Sequence, residues 1–273
     1  MKYVYKALVF IFLITIISFS LGPFIWVLLS SFKGNADILS ANSGFANGLK
    51  FENYVNAFKI APLSRFYLNS IIVAIASTAL NLVVVSMAAY VLSRHTFRFK
   101  KFFRLLFSLG LLIPSAALLQ PLYITLNKVG LYDSLMGLII VYAGFGLPVT
   151  LFIMMSYFLT IPKELEESAY MDGAGFFRTF AQIIVPLSKP AFATAGILQF
   201  LLCWNEFQFA LTLTTGNNNR TLPLALYYFK SSFASDYGAM FAAVVLVTIP
   251  SILVFIKFQE QVVSGLTAGS VKG

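Results

Sequence analysis

The chain has 273 residues, of which 59% are hydrophobic and 11% charged, with a net charge of +9. Soluble domains carry about 25% charged residues, so this composition excludes a soluble globular protein and requires an integral membrane one. The single Cys203 excludes a disulfide within the chain, and the single His95 excludes a His/Cys metal site. The basic residues are dispersed or sit beside apolar runs, which reads as membrane topology rather than a nucleic-acid surface.

Lys2 and Lys6 precede an apolar run over 7–31. It is too long for a signal peptide, whose apolar region is about 7–15 residues, and long enough to cross a hydrocarbon core of about 30 Å. We read it as an uncleaved first span entering from the cytoplasm, kinked near Gly22 and Pro23. A polar connector with Asn42, Ser43, Gly44, Asn47 and Gly48 follows. Phe51, Tyr54, Val55 and Phe58 then recur at helical spacing and predict a short helix on the outer interface. The second span, 67–93, is rich in Ala and Ser, which permit close helix packing in lipid. Arg94, Arg98, Lys100, Lys101 and Arg104 follow with no acid among them, and mark a cytoplasmic loop.

The third span is predicted over 105–126, with Pro114, Gln120 and Pro121 inside it. A short outer turn holds Lys128, Gly130 and Asp133. The fourth span, 134–158, is expected to be interrupted by Gly144, Gly146 and Pro148. The fifth covers 187–213 and the sixth 239–258, separated by an outer loop. A polar tail ends the chain. The expected fold is all-α and polytopic: six transmembrane helices forming a single transmembrane domain over 1–273, both termini cytoplasmic, with a cytoplasmic helical loop at 162–186 between helices four and five.

That loop is the polar anomaly of the chain. Pro162 leaves the fourth span, and Glu164, Glu166 and Glu167 fall in the first turns of a helix, where carboxylates favour the positive end. Leu165, Ala169 and Tyr170 are predicted to share one face. Gly173 and Gly175 permit a left-handed elbow. Phe176, Phe177, Phe180, Ile183 and Ile184 then begin a second amphipathic helix, which Pro186 and Pro190 are expected to break. From the residues alone, this is either a solvated interfacial loop or a docking helix for a partner.

Glu167-Ser168-Ala169, three residues, Gly173, nine residues, then Ile183-x-Val185-Pro186 resembles the EAA loop of ABC importer membrane subunits. Ser168 and Val185 depart mildly from the family's Ala and Leu. Asn69-Ser70, Trp204-Asn205-Glu206-Phe207 and the tail Gly265 to Gly273 resemble carbohydrate-uptake permeases of the maltose-transporter type. The resemblance implies an assembly of this chain with a second, non-identical membrane subunit, two ATPase subunits, an extracytoplasmic solute-binding protein and a sugar, in a prokaryotic inner membrane. It implies no catalytic residue and no cofactor in this chain, ATP and Mg being held by the ATPase. The chain has no Gly-Lys dipeptide, hence no phosphate loop of the GxxxxGK[ST] kind.

The resemblance assigns ATPase coupling to Glu167, Ser168, Ala169, Asp172, Gly173, Ala174, Ile183 and Pro186. Polar residues within or near spans are default functional candidates. Gln120, Tyr142, Gln199, Asn205, Glu206 and Gln208 are therefore candidates for the substrate path or outer gate. Gln120 and Gln199 are also read as hydrogen-bonders between helices, and Glu206 as an interfacial carboxylate reaching water. In the maltose-type pattern the outer loop before the sixth span reaches the binding protein, which here is Gly216, Asn217, Asn218, Asn219 and Arg220. Alternatives to a sugar importer are an importer for another polar solute such as glycerol phosphate, an ion-coupled carrier, or a scaffold without transport. A carrier predicts ionisable residues near mid-membrane.

Overall fold

The computed structural model describes residues 2–40, 44–45, 48–229 and 236–270, with the backbone alone for residue 2 and for 262–270. The turn residues Asn42, Ser43 and Asn47, and Val271 to Gly273 of the tail, lie outside the described residues. Every regular element among those described is helical. Four helices are individually long and apolar enough to cross a membrane, and two sharply bent pairs bring the total to as many as six spans.

The chain divides into two compact units. The first comprises 1–64 and 224–250. It contains α1 (Lys2–Ser30), α2 (Asn35–Leu39), α3 (Glu52–Ile60) and the first turns of the last helix. No residue in the most apolar window of α1 is buried. Its end is closed by a side chain from α3: Asn53 Nδ2 donates to the carbonyls of Ser31 (2.8 Å) and Lys33 (2.9 Å). Helix C-termini leave such carbonyls without intrahelical donors, and burial makes a side-chain donor the available substitute. Ser31 and Tyr54 join hydroxyl to hydroxyl at 2.8 Å. Val55 and Phe58 of α3 are exposed while Asn53 and Ala57 are buried, the two-faced pattern expected of an interfacial helix. Trp26 meets Phe241 edge to face, with centroids 5.0 Å apart.

The second unit comprises 65–223 and 251–273. It holds most of α4 (Leu63–Arg94), then α5 (Lys100–Gly110), α6 (Ser115–Lys128), α7 (Leu135–Phe158), α8 (Glu164–Met171), α9 (Phe176–Thr179), α10 (Val185–Leu187), α11 (Lys189–Asn205) and α12 (Gln208–Leu213), and the later turns of α13 (Tyr237–Ser270). Its apolar core is Val85, Ala89 and Tyr90 of α4, Leu151, Met154 and Phe158 of α7, Ile184, and Ala191 and Ala195 of α11. In lipid the hydrophobic effect does little to join helices, and close packing plus interhelical hydrogen bonds must do it. Asn81 Nδ2 accordingly donates to Ala143 O at 2.8 Å, tying α4 to α7. Gln199 Nε2 donates to Tyr142 O at 2.9 Å, tying α11 to α7. Thr194 Oγ1 donates to Gln261 O at 2.6 Å, tying α11 to α13.

Several expected boundaries differ. The third span is two helices, α5 and α6, crossing at 104° around Leu111 to Pro114. Pro114 has no N–H and forces its predecessor towards extended backbone, so the first helix closes at Gly110. The fourth span, expected to be interrupted, is one unbroken helix carrying Pro148. A neighbour makes room for the proline: Gly110 of α5 approaches Pro148 so closely that a Cβ on it would lie 2.9 Å from the proline ring. The fifth span begins at Lys189 and is broken at Glu206 and Phe207 before α12. The sixth helix runs from Tyr237 to Ser270, so the expected polar tail is largely helical.

Gly144 and Gly146 of α7 separate cleanly. A Cβ at Gly144 meets nothing within 4 Å, whereas one at Gly146 would sit 1.7 Å from Gln199 Oε1. Gly146→Ala therefore has to rotate Gln199 off the Tyr142 carbonyl, at a cost of about 1–3 kcal/mol for the unpaired buried amide. Gly144→Ala should be neutral or gain up to about 1 kcal/mol from lower chain entropy. Thermal unfolding of the two variants in detergent should show a lowered midpoint for Gly146→Ala only.

Candidate functional site

Two polar assemblies stand out in the second unit. The first is the loop between α7 and α11. α8 begins two residues after Pro162 and ends at Met171, where Asp172 and Gly173 return amide hydrogens to Ser168 O and Tyr170 O. Gly173 has φ +78°, a left-handed conformation that costs an L residue about 1–2 kcal/mol, and nothing lies within 4 Å of a Cβ placed there. Ala174 N donates back to Ala169 O at 2.9 Å, closing the elbow. α9 then runs into a single π-helical turn, Phe180–Ile184, and α10. This wide turn immediately precedes Pro186, whose ring and missing N–H disfavour a regular i→i−4 ladder. The helix therefore passes through Pro186 instead of ending there. The sharp bend, 77°, comes at Ser188, whose Oγ donates to Ile184 O at 2.7 Å.

The elbow brings Ala169, Asp172, Ala174 and Ile183 together with Arg178 and Gln182 around a notch of about 170 Å³. Glu167, Ser168, Asp172 and Pro186 are exposed, Ala169 is buried, and Ala174 and Ile183 are half-buried. Met171 and Phe177 project from the same loop, 87% and 70% exposed. Of the predicted apolar face of α8, only Ala169 is buried. Leu165 and Tyr170 are both 42% exposed, and the inward residues are Glu166 and Ala169. The reason lies across the chain on α4. Arg94 Nε pairs with Glu166 Oε1 at 2.8 Å, and Tyr90 Oη donates to Glu166 Oε2 at 3.1 Å. Arg94 also donates to Ile161 O, at the entry to α8. Sequence reasoning treated Arg94 as a topology signal and Glu166 as one acid among three. Their separation of 72 positions carries no local signal, and the one clue was the i, i+4 spacing of Tyr90 and Arg94 at the end of α4.

The second assembly is the loop after α12. Asp133, at φ +50°, accepts from Thr215 N (3.0 Å), Thr215 Oγ1 (3.1 Å) and Gly216 N (3.1 Å). Asn219 Nδ2 donates to the Asp133 carbonyl. Asn69 Nδ2 donates to the carbonyls of Asn218 and Arg220, both at 2.8 Å, and Leu222 N donates to Ser70 Oγ at 2.7 Å. The predicted loop Gly216–Arg220 is thus held in shape from α4 and from the turn before α7. Asn69 and Ser70 serve as its anchors.

The candidate path residues fall into two groups. Tyr142, buried on α7, donates to Glu206 Oε2 at 2.6 Å. Glu206 also accepts from Phe209 N (2.7 Å) and Ala210 N (3.0 Å). It caps α12 at the break, as carboxylates do at helix N-termini, and is engaged by the protein. Gln199 is 1% exposed and committed to Tyr142 O and Cys203 Sγ. Asn205, Gln208 and Gln120 are exposed. Asn205 Oδ1 accepts from Ser251 Oγ, and Gln208 Oε1 accepts from Ser115 Oγ. Cys203 is buried and free.

Comparison with known proteins agrees with this architecture. Residues 81–267 match the family described as binding-protein-dependent transport system inner membrane component, and the chain belongs to that family. Among relatives, a diacetylchitobiose uptake system permease of Streptomyces coelicolor is 35% identical over 92% of this chain and 83% of its own. A trehalose/maltose transport system permease of Thermococcus litoralis is 36% identical over 93% and 92%, and a trehalose permease of Mycobacterium tuberculosis is 35% identical over 94% of each. A solved bacterial ABC transporter involved in import of the acidic polysaccharide alginate shares the fold, with a TM-score of 0.82 and 22% identity over 95% of this chain and 96% of that one. The chain is therefore a multi-pass transport permease rather than an enzyme, helical in every regular element among the described residues.

Burial pushes the Asp133 carboxyl up, but the amides of Thr215 and Gly216 and the side chains of Thr215 and Asn219 outweigh it and hold it below its ordinary value. A depressed carboxylate contributes its full share above the unfolded pKa of about 3.9 and loses it as pH falls through the lower folded value. Exchange protection of the Thr215 and Gly216 amides should therefore be unchanged between about pH 7 and pH 5 and should collapse only below about pH 4. Asp133→Ala should remove it already at neutral pH. Hydrogen exchange normalised to intrinsic rates reads both.

Proposed function

We propose that this chain is one membrane-spanning subunit of an ATP-driven, binding-protein-dependent importer of sugars or oligosaccharides. The observation that supports this most directly is the elbow at Gly173. A short helix with Glu167 and Ser168 outward turns back sharply beside a small notch, and apolar Met171 and Phe177 project from it. That is the form of a helix that seats in a groove on a partner. In this reading the loop 162–186 lies on the cytoplasmic side, with both termini, and docks on one of two ATPase subunits that bind ATP and Mg. Closure of the ATPase pair moves the docked loop, and the spans follow as rigid bodies to exchange access between the two membrane faces. A second, non-identical membrane subunit completes the path and covers apolar helix surface such as α1. An extracytoplasmic binding protein delivers the solute to the outer loop Gly216 to Arg220, whose shape Asp133 and Asn69 maintain.

The relatives named for trehalose, maltose and diacetylchitobiose support a glycoside as the substrate. Recognition of such a solute requires hydrogen bonds from groups that remain accessible. Asn205, Gln208 and Gln120 meet that condition, while Gln199 and Glu206 hold helices together. Tyr142 acts through Glu206. The same assignment disfavours an ion-coupled carrier, because the acid nearest the fifth span is occupied as a helix cap.

The test is uptake of labelled oligosaccharides together with recovery of the ATPase on the purified chain. Deleting 167–173 should abolish both, while an ion-coupled carrier would keep uptake driven by an ion gradient. Gly173→Val should insert normally, because only backbone conformation is strained, yet should lose ATP-driven uptake by roughly five- to thirty-fold, the equivalent of the cost of about 1–2 kcal/mol for a left-handed L residue at a docking elbow.

A further inference from the structure

We propose that Glu166 and Arg94, outside the exposed motif, are positioning residues that form the joint through which movement of α8 reaches α4. The inference rests on the reading of α8 as the ATPase-docking helix and adds the route by which docking is passed on. Glu166 is 6% exposed on a helix whose other acids, Glu164 and Glu167, face outward. Glutamate is almost never so buried unless paired, and here both carboxylate oxygens are used, by Arg94 and by Tyr90. Arg94 spans two points of the loop at once, the Glu166 carboxylate in the first turn of α8 and the Ile161 carbonyl that leads into it. The charge contact to Glu166 and the donated hydrogen bond to the Ile161 carbonyl together tie α4 to two successive points of the loop.

The Tyr90 ring extends the joint. It packs against Phe158 at the end of α7, Phe176 of α9 and Phe180 of the π-helical turn, with centroids 5.2–6.4 Å apart. The last turn of α4 therefore touches every part of the loop: its entry, α8, and the helix beyond the elbow. Neighbouring residues on a helix point about 100° apart. Glu167 faces a partner while Glu166 faces α4, so a displacement of one side of α8 is borne by the other. Stability alone does not account for the choice of residues. A buried ion pair is often matched by apolar side chains of the same volume, and the surrounding surface is already apolar.

The experiment uses the complete importer complex, with its binding protein, in proteoliposomes. It reads three quantities: ATPase subunits retained, ATP hydrolysed, and solute taken up per ATP. Glu166→Gln and Arg94→Gln should retain the ATPase and continue to hydrolyse ATP. Their uptake per ATP should fall by roughly five-fold or more, the lower end of ordinary coupling between sites. The double variant should fall no further than either single one, because both remove the same contact. Tyr90→Phe, which keeps the ring and deletes one hydrogen bond, should fold normally and show a smaller fall in the same ratio. A merely structural role would lower the amount of assembled complex and leave uptake per ATP unchanged, and that result would overturn the proposal. Failure of the unaltered chain to retain the ATPase would overturn the docking reading beneath it.

Discussion

A polar group buried among hydrocarbon without a partner is costly, and this chain places a small number of such groups where they join helices. Asn81 reaches from α4 to a carbonyl of α7, Gln199 from α11 to the next carbonyl along α7, and Thr194 from α11 to α13. At Gln199 the reach is short because the facing surface is small. Gly146 leaves the space that the Gln199 amide fills. The small residues and the amides are two halves of one device: the first let backbones approach, the second supply the bond that makes the approach specific. The apolar majority of the chain is left to fill space between these points and to face lipid.

The same economy shapes both candidate loops. On one side, Arg94 and Tyr90 at the end of α4 hold the loop between α7 and α11. On the other, Asn69 and Ser70 near the start of α4 hold the loop after α12. A single helix thus anchors the two segments through which the protein is proposed to meet its ATPase and its binding protein. Rigid connection over the length of α4 is a physical basis for moving them together. Glu206 offers a contrast. Its place in a break of the fifth span invites a gating role, yet its oxygens are occupied by Tyr142 and by two amides of α12. A carboxylate serving as a helix cap stabilises a bend, and such a bend keeps Asn205 and Gln208 on exposed surface.

Much of this was legible in the chain. Runs of apolar residues bounded by Lys and Arg require membrane spans on grounds of length and hydration alone. The Gly173 elbow was legible because a left-handed turn after a short polar helix leaves a local mark. The interruptions were less so. Pro114 ends a helix and Pro148 and Pro186 do not, although all three look alike in sequence. The difference is whether neighbouring helices, or a widened turn, accommodate the missing N–H.

By itself, then, the sequence determined a helical membrane chain, the approximate positions of its long apolar helices, and a polar loop built to turn at Gly173. These depend on periodicity and chain entropy, which act over a few residues. Only the tertiary structure decided which of Glu166 and Glu167 is buried, which of Gly144 and Gly146 is indispensable, and what Asp133 and Asn69 hold. Those outcomes depend on partners between 53 and 151 positions away. Such contacts exist only once the helices have packed, and no local pattern of charge or hydrophobicity encodes the rotation at which they meet.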